Sequence, residues 1–162
     1  MDRSAGLSTL ELLLAAALLA LLTLPCLQWA SASLALQQVE SASRRVIQGL
    51  EQGRAAAERS GQPCGLRLQQ DGWGPPLGGG LPACPGVELP LLEAGRETAI
   101  QLRHNLPEVV RFTSNGLVLD GGTVLVGAEG TQLVRCVVMA LPLGVVRIGR
   151  WQEQECRPDP AL

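Results

Sequence analysis

The sequence predicts an α+β chain: a long N-terminal helix, first a membrane stem and then amphipathic, packed on a small antiparallel β-sheet head. Three observations predict it. No charged residue occurs from Leu12 to Val39. Apolar residues then recur at helical spacing to about Arg59. From Ala99 to Trp151 the pattern changes to short β-like runs broken by Gly, Asn and Pro.

The uncharged stretch holds 28 residues. As a helix it would measure about 42 Å at roughly 1.5 Å per residue. A bilayer's hydrocarbon core is about 30 Å thick. Residues 7–36 are therefore expected to form a transmembrane or assembly stem, with residues 1–6 as a leader. Pro25 falls inside this stem, where it removes a backbone hydrogen bond and predicts a kink.

Residues 37–60 read as the same helix turned amphipathic. Val39, Ala42, Val46, Leu50 and Ala57 form an apolar stripe, and Glu40, Arg44, Arg45, Glu51, Arg54 and Glu58 a wet side. Gly49 and Gly53 either weaken the helix locally or let a sheet approach it closely. Gly61-Gln62-Pro63 ends it.

Residues 61–162 are expected to form the β-rich globular head. Cys64–Gln70 alternates as a first strand, and residues 71–95, rich in Gly and Pro, read as a long connection pinned by Cys84. Val109–Thr113, Leu117–Leu119 and Thr123–Val126 read as short strands, with Ser114-Asn115-Gly116 a tight turn. Gln132–Ala140 and Leu143–Trp151 read as a hairpin turning at Leu141-Pro142. Asp120, before Gly121-Gly122, reads as a turn residue.

From Glu40 onward 12 Arg stand against 13 Asp and Glu, and aromatic residues are scarce. Neither feature favours a nucleic-acid or anionic-membrane surface. No CxxC occurs and His104 is the only histidine, so no metal or other cofactor is expected. No Ser or Cys has a recognisable base around it, which gives no ground for an enzyme. Cys26 lies in the apolar stem; Cys64, Cys84, Cys136 and Cys156 lie beyond it and suggest two disulfides. Three pairings are open, and joining sequence neighbours favours Cys64–Cys84 with Cys136–Cys156.

Glu11 abuts the uncharged stretch, where a carboxylate either sits at the headgroup level or has a partner. It is the fifth residue after Gly6. Gly6-Leu7-Ser8-Thr9-Leu10-Glu11 resembles the type IV prepilin signature. The later order, RFTSNG, a short strand pair and LVRCVVMALPLGVVRIGR, resembles GspH/FimT-type minor pilins and pseudopilins. The usual first mature residue of that family is phenylalanine, and here it is Leu7.

The resemblance implies a structural subunit of a type IV pilus or a type II secretion pseudopilus. It implies cleavage after Gly6 by prepilin peptidase, N-methylation of Leu7, and filament assembly through Glu11. Other pilins or pseudopilins would be partners through the stem. The precursor would be a single-pass protein of the bacterial inner membrane with its head in the periplasm, passing into the pilus or pseudopilus on assembly.

Two other readings are kept. Some FimT-like pilins bind DNA through a glycine-Arg-x-Arg motif, and Arg135, Arg147 and Arg150 make the last hairpin locally basic. The closest match, Gly144-Val145-Val146-Arg147, lacks the first arginine. Alternatively residues 12–27 are the apolar core of a secretory signal, with cleavage after Ala32 releasing a soluble β-rich protein.

Overall fold

A computed structural model describes residues 9–19, 31–78, 80–92, 100–141 and 144–159, and continues the helical trace of the first element through 20–30. Helix α1 is Thr9–Ser60. Among the described residues nine strands follow: β1 Cys64–Leu68, β2 Gly72–Gly74, β3 Leu89–Pro90, β4 Ile100–His104, β5 Val110–Phe112, β6 Gly122–Ala128, β7 Arg135–Ala140, β8 Val145–Gln152 and β9 Glu155–Pro158. They form two sheets, ordered β3-β2-β1-β5 and β4-β6-β7-β8-β9. The named strand pairs are all antiparallel.

This corrects the expected fold class on two points. Among the described residues no helix is long and apolar enough to cross a membrane. The apolar run described there, Leu12–Leu19, would reach only about 12 Å at roughly 1.5 Å per residue; from Ser31 the helix is already mixed with Ser and Gln. Nor is the head one small sheet. The chain is mixed α+β but mostly β in its elements, with sheets of four and five strands. The Gly/Pro-rich connection contains β2 and β3, while Leu117–Leu119 is not a strand but holds a single bridge, Phe112 to Val118.

The chain divides into two units between Leu34 and Ala35. In the first, the described leucines of the helix are solvent-exposed, from Leu10 to Leu19. The second holds the core. The predicted stripe Val39, Ala42, Val46, Leu50 and Ala57 is fully buried there, together with Leu66, Val110, Phe112, Val124, Val126 and Val137.

Two helix glycines explain how closely the first sheet approaches. A Cβ on Gly49 would overlap the indole of Trp73, and one on Gly53 would come within 2.7 Å of Phe112 and 2.8 Å of Leu66. Trp73 Nε1 donates to Val46 O at 3.1 Å, so the ring is both packed on and bonded to α1. Gly61 then closes the helix at φ 65°, a left-handed cap that glycine adopts without cost from a side chain.

Disulfides join Cys64 to Cys84 and Cys136 to Cys156. Each spans 20 residues of sequence, and a loop of that size constrains the unfolded chain by about 3 kcal/mol. The second bridge links β7 to β9, which both flank β8. Gly149 of β8 stands opposite Cys136, and a Cβ there would lie 3.2 Å from Cys156 Sγ.

Polar side chains complete the ladders. The Gln70 amide donates to Leu102 O at 2.8 Å and accepts from Leu102 N at 3.2 Å, pairing with the edge strand β4 as a neighbouring strand would. Asp120 does more than turn the chain. Its carboxylate accepts two bonds from the Arg111 guanidinium, at 2.8 and 2.9 Å, and one from Arg111 N. These bonds hold the Asp120 carboxyl below its ordinary pKa, against the opposing effect of partial burial.

Candidate functional site

Gly6, Leu7 and Pro25 lie outside the described residues. Glu11 lies in the first turn of α1, where a carboxylate is favoured by the positive end of the helix dipole. Around it Leu10, Leu12, Leu13 and Leu14 are 71%, 61%, 68% and 58% exposed. At about 100° per residue, three consecutive leucines already point to different sides of a helix. Among the described residues this segment is apolar on every side and exposed.

The three arginines of the last hairpin do not form one surface. Arg135 is only 5% exposed. Its Nε donates to Glu40 Oε1 at 2.7 Å, and its Nη2 reaches the same oxygen. Its Nη1 meets Asp159 Oδ2 at 2.5 Å. Burial works against the charge, but the two carboxylates outweigh it, and the guanidinium pKa lies above its usual value. Arg135 is thus engaged inside the fold, tying β7 to α1 and to the segment after β9, and offers nothing to DNA. Arg150 stands directly opposite Arg135 and Arg157 in the sheet, and Asp159, 3.5 Å from its Nη2, offsets that like-charge row.

Arg147 is on the other face. Side chains alternate along a strand, so the face bearing Leu102, Val124, Val126, Val137 and Met139 is buried in the core. The opposite face carries Arg103, Thr123, Leu125, Val138, Arg147 and Trp151, the first and fifth exposed and the others half-buried. Neither Arg103 nor Arg147 makes an ion pair among the described residues. The contributions of Arg103 and Trp151 were not evident in the sequence, because they share a face only through the pairings of β4, β6, β7 and β8.

On this face lies a cleft of about 260 Å³ lined by Arg103, His104, Asn105, Thr123, Leu125 and Trp151. Asn105 Oδ1 accepts from Thr123 N at 2.6 Å, and Asn105 N donates to Thr123 O at 3.2 Å, which fixes the Asn105 side chain across the β4–β6 end. Among the described residues no carboxylate lines the cleft. Among the described residues no group of His, Cys, Asp and Glu could hold a metal ion.

Comparison with protein family models, with curated proteins and with solved structures finds no match for this chain.

Proposed function

We propose that the chain is a structural subunit of a type IV pilus or of a type II secretion pseudopilus, of the minor pilin or pseudopilin kind. It is made as a precursor, and prepilin peptidase cuts it between Gly6 and Leu7. The observation that carries this reading is Glu11, five residues beyond Gly6, at the start of a helical segment whose leucines face outward on all sides. A helix apolar on every side requires surroundings that bury it. Neighbouring copies of the same segment, packed in a filament, supply them.

In that packing the Glu11 carboxylate pairs with the new ammonium group of a neighbouring Leu7. Opposite charges attract strongly in low dielectric, which offsets part of their desolvation and fixes one axial register. The two disulfides fit an oxidising compartment such as the periplasm. In this reading the precursor sits at the bacterial inner membrane with residues from Ala35 on the periplasmic side.

Gly6→Val is expected to leave the precursor at full length when co-expressed with prepilin peptidase; cutting at the normal rate contradicts the processing site. Glu11→Ala is expected to be cut normally but to enter filaments at least about tenfold less, since an unmatched buried charge costs several kcal/mol. Normal incorporation of Glu11→Ala, measured by immunoblot of sheared filaments, removes the charge pairing.

A further inference from the structure

The cleft between β4, β6 and β8 is not needed for assembly through α1, and its chemistry points elsewhere. Its polar side chains can all donate: the Arg103 guanidinium, the Thr123 hydroxyl and the Trp151 indole; His104, which alternates to the other face with Val124, only borders it at the strand end. Asn105 joins them: its side-chain oxygen already accepts from Thr123 N, and its NH₂ group is a further donor. Among the described residues no acid lines the cleft. Leu125 and Trp151, both half-buried, supply an apolar and aromatic wall. Trp151 is anchored by its own backbone, whose N–H donates to Val134 O at 2.9 Å.

We propose that this cleft binds a small ring-bearing anion, a phosphate or carboxylate carried on a planar ring. The charged end pairs with Arg103, with Asn105 and Thr123 in reach as further donors, and the ring packs on Trp151 and Leu125. The volume, below the range of drug-sized pockets, limits the occupant to about one mononucleotide or aromatic acid. Such an anion arrives either free or as one unit of a polyanion, and the test separates these sources. The proposal is independent of the pilin reading, because no residue of α1 takes part.

The test uses the full-length chain in detergent, titrated by calorimetry with adenosine 5′-monophosphate, benzoate, adenosine and ribose 5-phosphate. Saturable binding of the monophosphate or benzoate is expected, with adenosine and ribose 5-phosphate each about tenfold weaker, as each lacks one of the two contacts. Arg103→Gln, an exposed position that leaves the core intact, should weaken binding about tenfold or more, as loss of a charge-assisted hydrogen bond does. Trp151→Leu should weaken it by a similar factor, while Arg147→Gln, outside the cleft, should change it less than about threefold.

A short single-stranded oligonucleotide is the second arm. Tighter binding than the monophosphate, lost in Arg103→Gln, identifies a polyanion unit as the source; equal or weaker binding identifies the free anion. Absence of saturable binding to any probe at about 10 mM overturns the proposal. So does binding that Arg103→Gln leaves unchanged.

Discussion

Arg135→Met is expected to destabilise the chain by about 3–5 kcal/mol, the usual result of removing one partner from a buried ion pair. Asp159 has a side chain only 7% exposed and would be left near Arg150, 3.5 Å away and half in solvent. Glu40 is worse placed. Its Oε1 takes both bonds from Arg135, and its Oε2 already has no hydrogen-bond partner among the described residues. The cost should come chiefly from the Glu40 carboxylate and from an Asp159 deprived of its closest cation, rather than from lost attraction. Adding Glu40→Leu and Asp159→Leu to Arg135→Met is therefore expected to restore most of the lost stability. Chemical denaturation of the parent, the single variant and the triple variant checks it. A single variant as stable as the parent contradicts the cluster's role.

Gly49→Ala should destabilise although alanine is the better helix former. The helix gain is at most about 1 kcal/mol. Against it, the new Cβ would overlap the indole of Trp73, which is 3% exposed and bonded to Val46 O. The ring must move, and overpacking of this kind typically costs about 1–3 kcal/mol. We expect a net loss of stability together with a red shift of tryptophan emission as Trp73 meets water. Gly74→Ala is the control, since nothing lies within 4 Å of a Cβ there. A stabilised Gly49→Ala with unshifted emission contradicts the close helix–sheet approach.

The apolar stripe of α1 was legible because helical spacing depends on neighbours in sequence, and each of its five members is buried. The close approach at Gly49 and Gly53 was legible only as one of two alternatives; choosing between them needs the position of Trp73. The two-sheet architecture was not legible. β2 and β3 sit among Gly and Pro that read as a loop, and their pairing depends on contacts with the helix and with β1. β9 was missed because its turn, Glu153-Gln154, adopts positive φ at both residues without the glycine or asparagine that usually marks it. Arg135 read as part of a basic hairpin because its partner Glu40 is 95 residues away. The cleft escaped notice for the same reason: Arg103, Thr123 and Trp151 meet only through strand register. Glu11 and its distance from Gly6, by contrast, are facts of sequence alone.

The mass and N-terminal sequence of the mature protein from its native host test the central claim most directly. A start at Leu7, methylated, is what the pilin reading predicts. A start at Ser33, after Ala32, would make the chain a secreted protein and would contradict the roles given to Gly6, Leu7 and Glu11.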